Sequence, residues 1–161
     1  MSINIIPIGT IKTPFNDLKG MPIQPSGAAD VIGTVVLDKE YEQGLNDLEG
    51  FSHIILLYHF HKSKGYKLIV KPFMDDQKRG LFSTRAPRRP NPIGLSIVRL
   101  VKRHGNTITV KGIDVLNGTP LLDIKPYVPK FDTKEVTAAG WLETNQEKSE
   151  FIKSDDRFVE N

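Results

Sequence analysis

The sequence predicts a mainly β protein, a small closed or partly open β-barrel with one or two short peripheral helices. Three observations lead there. Short β-branched runs recur along the chain, separated by turn residues. The prolines include two clusters, Pro87, Pro90 and Pro92, then Pro120, Pro126 and Pro129, through which no helix runs. Strand-like runs do not alternate with long helices, which disfavours a doubly wound dinucleotide fold.

The elements follow in chain order. Ile3 to Ile11 is an apolar, β-branched first strand, with Gly9 as a bulge or a site of close approach. Val31 to Leu37 is the next strand, built around Gly33. His53 to Phe60 is an apolar block that suits a buried strand. Lys67 to Phe73 alternates, with Leu68, Val70 and Pro72 on one side. Leu95 to Val101 follows Gly94, and His104-Gly105-Asn106 turns the chain into Thr107 to Ile113. Leu121 to Val128 is the last strand. Asp38 is placed to cap a helix whose Tyr41, Leu45 and Leu48 share one face and which Gly50 ends. Gly44 weakens that helix by roughly 1 kcal/mol relative to alanine. Thr144 and Glu147 have capping-box spacing for a short C-terminal helix. The chain thus divides into a barrel domain, residues 1–142, and an acidic helical tail, residues 143–161.

A length of 161 residues fits one domain with its own core. The chain is 39% hydrophobic and 25% charged, with a mean hydropathy of -0.28, values of a globular rather than a disordered protein. Cysteine is absent, which excludes disulfides, thiolate metal sites and a cysteine nucleophile. The longest apolar run, Ile54 to Tyr58, is too short to span a bilayer, and no leader-like pattern opens the chain, so a soluble, cytoplasmic protein is expected. There are 22 basic and 19 acidic side chains. Residues 143–161 hold six acids and three bases, which leaves residues 1–142 at +6, a balance suited to a polyanion such as nucleic acid.

Four segments are candidates for chemistry, of which the loop Pro22 to Gly27 is ordinary by composition. In residues 78–89, Lys78, Arg79, Arg85, Arg88 and Arg89 occur without an acid among them. Guanidinium forks bind carboxylates and phosphates bidentately, and the prolines stiffen the loop that presents them. Asn91 sits between two prolines, which restricts its backbone, and Gly94 admits close approach. In Asp114 to Pro129, extended geometry puts Asp123, Lys125 and Tyr127 on one side and Leu122, Ile124 and Pro126 on the other. An amphipathic strand with a satisfied ion pair explains that pattern equally well. His59 and His61 share a strand face, but without a third ligand of suitable type no metal site is expected. Phosphate-loop, dinucleotide, nucleophile-elbow and zinc-helix signatures are missing.

Phe82-Ser83-Thr84-Arg85-Ala86-Pro87-Arg88-Arg89-Pro90-Asn91-Pro92-Ile93-Gly94-Leu95-Ser96 resembles the hallmark stretch of the TsaA-like, or TrmO, proteins. Asp114-Val115-Leu116-Asn117-Gly118-Thr119-Pro120-Leu121-Leu122-Asp123-Ile124-Lys125-Pro126-Tyr127 is similar to their second hallmark. The resemblance covers roughly Ile5 to Pro129. It implies a small β-barrel that binds S-adenosylmethionine, as a homodimer, and methylates the exocyclic amine of an adenosine beside a tRNA anticodon. In the family's known bacterial enzymes that base already carries a threonylcarbamoyl group. The resemblance also implies cofactor contacts from Gln24 and Pro25, His61 and Lys62, Arg85 and Leu95, and Ile113, Asp114, Val115 and Leu116. Asn117 departs from the aspartate common in the family, and the sequence ends soon after the barrel.

Methyl transfer is mainly a positioning task. An adenine amine is a poor nucleophile, so an acceptor that orients it or takes its proton helps. Asp123, Asn91 and Tyr127 are the candidates, with Lys125 positioning Asp123 or contacting phosphate, and with Arg88 and Arg89 on the tRNA backbone. Two other readings stand beside this one: methylation of a small metabolite, and a non-catalytic RNA-binding barrel.

Overall fold

The structure, a computed structural model, describes residues 1–21, 25–73 and 75–143, with only the backbone of Pro25 and Ser26. The strands in chain order are β1 (Gly9–Lys12), β2 (Ile32–Leu37), β3 (His53–His59), β4 (Ile69–Val70), β5 (Arg79–Gly80), β6 (Ile93–His104), β7 (Thr107–Lys111) and β8 (Thr119–Pro126). A one-turn helix, α1 (Pro129–Asp132), follows them. β4 and β5 form a separate ribbon, and the other six strands close a barrel. The order around the barrel is β1-β2-β7-β6-β3-β8, with β8 returning to β1, and every pairing is antiparallel. The mainly β barrel expected from the alternation is therefore present and closed.

Alternation builds the core. In β3, Ile54, Leu56 and Tyr58 point inward, and in β6 Gly94, Ser96 and Val98 do. Ile11, Val35, Ile108, Val110 and Leu121 join them in the interior, each fully buried. Gly9 is a close-approach site: a Cβ there would run into the backbone of Val36 and Leu37. The hairpin at Gly105 (φ 59°) and the turn at Gly118 (φ 79°) use the left-handed region that glycine adopts without strain.

Several elements differ from the sequence expectation. The first strand starts only at Gly9; Ile3, Ile5 and Ile6 are exposed, and Pro7 has no N–H to give a ladder. The run at Lys67 to Phe73 keeps two strand residues, because its partner β5 is equally short and Pro72 cannot donate. The helix after Asp38 is replaced by two 3-10 turns, Lys39–Leu45 and Leu48–Gly50. Asp38 makes no side-chain cap bond, Gly44 lies inside the first turn, and Asp47 at φ 67° interrupts the two. The helix expected from Thr144 lies outside the described residues.

Strand direction places the connections. β1, β3 and β7 end, and β2, β6 and β8 begin, at the same end of the barrel. The β1–β2 connection (residues 13–31), the long β3–β6 excursion (60–92) and the β7–β8 turn (112–118) therefore gather there. The other end carries the 3-10 turns, the Gly105 hairpin and α1.

Candidate active site at the loop end of the barrel

The β1–β2 and β7–β8 loops are stitched together. Thr13 Oγ1 donates to the Val115 carbonyl (2.7 Å), the Thr13 N–H to Asn117 Oδ1 (3.1 Å), and the Asn117 N–H to the Phe15 carbonyl (2.6 Å). Asn117 Nδ2 donates to Asn16 Oδ1 at 2.9 Å, so this side chain fixes the loop frame. Gly112 at φ 85° turns the chain out of β7, and Ile113, Val115 and Leu116 are buried behind Asp114.

The excursion is equally well held. Its ends meet where the Phe60 N–H donates to the Pro92 carbonyl (2.8 Å). Val70, Leu81 and Ala86 form a second small core. Thr84 Oγ1 donates to the Leu81 carbonyl (2.7 Å), and Arg89 Nη1 donates to the carbonyls of Thr84 (2.9 Å) and Ala86 (3.2 Å). The arginine motif is thus a stitched loop rather than a free one.

Asp114 is half-buried at the junction of these loops, and its carboxylate ends a hydrogen-bond chain that starts from inward-pointing residues of the barrel. Ser96 Oγ donates to Asp114 Oδ1 at 2.7 Å, and the Tyr58 hydroxyl lies 2.9 Å from Ser96 Oγ. Ser96 has one hydroxyl proton and spends it on Asp114, so the Tyr58 hydroxyl donates to Ser96. Burial raises the Asp114 carboxyl from 3.8 to about 6, against the opposing pull of Ser96, its own backbone N–H and the Arg85 charge. Burial likewise raises the Tyr58 phenol, helped by the Asp114 charge, so Tyr58 stays protonated and serves as a donor. Gly94 sits beneath the Tyr58 ring, which meets Phe60 edge to face at 5.5 Å.

The residues picked from the sequence divide between two places. Asp114, Val115, Leu116, Ile113, Arg85, His61 and Lys62 belong to the loop end. Arg85 is exposed and close enough to act electrostatically on both Asp114 and Tyr58. His61 is half-buried, its imidazole pushed below the usual histidine range by burial and by Lys62 and His59. Asn91 is exposed at the end of the same motif, and its carbonyl accepts from the Ile93 N–H (2.8 Å). The Pro25–Ala28 turn packs against β6, and Gln24 lies outside the described residues. Arg88 and Arg89 are half-buried within the motif.

Asp123, Lys125 and Leu95 instead lie on the outer wall. Leu57 of β3 pairs with both Leu95 and Asp123, and Ile55 with both Ile97 and Lys125. Lys125 Nζ is 2.7 Å from Asp123 Oδ2, with both side chains substantially exposed. Tyr127 lies just beyond β8, edge-on to His53 at 6.4 Å and with its hydroxyl 3.2 Å from Thr133 Oγ1. Sequence reading missed Tyr58 and Ser96. The available signal was a serine at an inward position of an otherwise apolar strand.

The molecule is thus a closed antiparallel barrel that carries an oriented carboxylate and an arginine loop at one end. The chain matches the family model of the tRNA-methyltransferase O N-terminal domain over residues 10–133, and it belongs to that family. A probable S-adenosyl-L-methionine-binding protein of Pyrococcus abyssi is 55% identical over 152 residues, 94% of this chain and 83% of that protein. The human tRNA (adenine(37)-N6)-methyltransferase is 38% identical over 136 residues, covering 80% of this chain but 31% of its own length. The crystal structure of TrmO from Pseudomonas aeruginosa superposes with a TM-score of 0.74 at 37% identity, over 88% of this chain and 63% of that one. The chain therefore spans about a third of the human relative and under two thirds of the bacterial structure.

Proposed function

We propose that this protein is a cytoplasmic S-adenosylmethionine-dependent methyltransferase acting on the exocyclic amine of an adenosine beside a tRNA anticodon, a base already bearing a threonylcarbamoyl group. The observation that carries this reading is the Tyr58–Ser96–Asp114 chain, delivered to the same barrel end as the arginine motif. Family membership and the names of the relatives support it. Residues 1–142 form the catalytic unit in this reading. The side chains at the loop end suit the cofactor's chemistry. Arg85 matches its carboxylate, and Ile113, Val115 and Leu116 supply apolar backing. When bound, S-adenosylmethionine supplies an electrophilic methyl group. The chain's own task is to hold the amine in line and receive its proton. A carboxylate at about 6 is ionised at neutral pH yet basic enough to accept, which suits Asp114 to that role.

The Asp123–Lys125 pair lies on the outer wall of the barrel within one chain. Ile93, Leu95, Ile97 and Val101 line the outer face of β6 beside it, all at least 40% exposed. An apolar stripe of this kind supports a homodimer across a two-fold axis, and only there would Asp123, Lys125 and Tyr127 join a site. Paired substitutions test this. If the pair is only structural, Asp123→Asn and Lys125→Met each shift stability by under about 1 kcal/mol, the scale of an exposed pair, and leave turnover near wild type. A turnover loss of roughly 10²-fold at unchanged sedimentation would give Asp123 a catalytic role.

The decisive experiment is mass spectrometry of tRNA nucleosides after incubation with labelled S-adenosylmethionine. Label in a methylated, threonylcarbamoylated adenosine supports the proposal. Cofactor binding without label in any tRNA nucleoside overturns it.

A further inference from the structure

Residues 60–92 leave the barrel wall between β3 and β6 and return to it. They hold nine basic side chains and two acidic ones, whereas the rest of the chain holds 13 basic and 17 acidic. The protein's positive charge is thus concentrated in this excursion, on a body that is otherwise net negative. Both acids are engaged within it: Asp75 binds Arg79 (2.6 Å) and Asp76 lies 3.5 Å from Lys71. Lys62, Lys64, Lys67, Lys71 and Lys78 are all exposed.

Two aromatic rings flank one short turn of this surface. Phe82 is 72% exposed, and the Arg89 guanidinium lies 5.5 Å from its ring centroid. Two carbonyls hold that guanidinium, so Arg89 is fixed against the ring. Trp141 comes from beyond the barrel, donates its indole N–H to the Ser83 carbonyl (2.9 Å), and carries the Arg79 guanidinium at 5.5 Å. Ser83 therefore follows one ring in the chain and accepts from the other, and each ring is paired with an arginine. An exposed phenylalanine has no role in either hydrophobic core. A rigid ring within a field of lysines has the properties of a platform for an unpaired nucleobase, whose phosphates the lysines meet.

We propose that the excursion together with Trp141 is the RNA-docking face, and that Phe82, fixed by Arg89, stacks an unpaired base neighbouring the one that is modified. This rests on the tRNA reading above, and it adds a base-binding site within the excursion, at the same end of the barrel as Asp114. A protein partner fits less well, because the surface is dominated by lysines of one sign, which suits a polyanion.

The test uses the full chain and an anticodon stem-loop RNA read by fluorescence anisotropy. Phe82→Ala weakens RNA binding by roughly 5- to 100-fold, the scale of losing one stacked base. Phe82→Trp restores it. Neither substitution moves the melting temperature or the calorimetric affinity for S-adenosylmethionine. Lys64→Gln with Lys67→Gln lowers the slope of log affinity against log salt by about two. The sole tryptophan, Trp141, reports independently, its emission being quenched as RNA is added. Wild-type RNA affinity in Phe82→Ala, in a protein whose wild type methylates tRNA, overturns the platform and leaves the function standing. Failure of the wild type to bind the stem-loop overturns both. Binding that does not weaken with salt overturns the RNA reading of this face and returns it to a protein partner.

Discussion

Asp114→Asn is expected to slow methyl transfer by roughly 10²-fold or more, the usual loss on removing a general base, while making the protein more stable at pH 7. Asparagine keeps the oxygen that accepts from Ser96, so the Tyr58–Ser96 geometry survives. It cannot accept a proton. The stability change follows from the raised carboxyl, which stands at about 6 in the folded chain against an ordinary 3.8. The native state holds this proton more tightly than the unfolded state does. Wild-type stability therefore falls as pH rises between about 4 and 6 and stays at the lower level above that interval. The asparagine variant has no such proton, and its gain at pH 7 is on the order of 2 kcal/mol for a half-buried group. In the wild type, turnover rises with pH through an apparent value of about 6. Thermal denaturation across pH, beside a pH–rate profile, checks both. Unchanged turnover, or a variant less stable than wild type at pH 7, would refute the assignment.

Gly94→Ala is expected to lower stability by about 3 kcal/mol, the upper range for overpacking, and to remove activity from the fraction that stays folded. A Cβ at this position would run into Cε2 and Cζ of Tyr58 and come within 2.8 Å of Phe60 Cζ. The Tyr58 ring has nowhere to go: it is buried in the core, edge-on to Phe60, with its hydroxyl bound to Ser96. Relief requires tilting the ring, which pulls the hydroxyl from Ser96 and releases Asp114. A fall in melting temperature of roughly 6–12 °C is the corresponding signal. Gly44→Ala is the control, since a Cβ there meets nothing within 4 Å. Equal melting temperatures for the two variants would show that the wall around Tyr58 yields.

Alternation and turn chemistry are local properties, and they were legible. Inward and outward positions of His53 to His59 and of the run from Gly94 follow from a period of two. The Gly105 hairpin and the turn at Asn117-Gly118 follow from residues that favour left-handed backbone. The arginine–proline motif and the second hallmark were readable as strings, and they named the family that the chain belongs to. Strand ends were less legible. Proline at positions 7 and 72 removes one donor each, but whether that ends a strand depends on a neighbour the local pattern does not show.

Only the closed barrel decided which candidates share a place. Sequence spacing put Asp123 only nine residues after Asp114, yet the barrel sends one to the outer wall and the other to the loop end. Conversely, Tyr58 and Ser96 are 38 residues apart in the chain and Ser96 and Asp114 are 18 apart, yet each pair is within hydrogen-bonding distance. Strand pairing fixes such meetings, because register sets which residues lie opposite and antiparallel direction sets which loops share an end. Burial then raises the Asp114 carboxyl, a property of the tertiary environment that no stretch of sequence holds by itself.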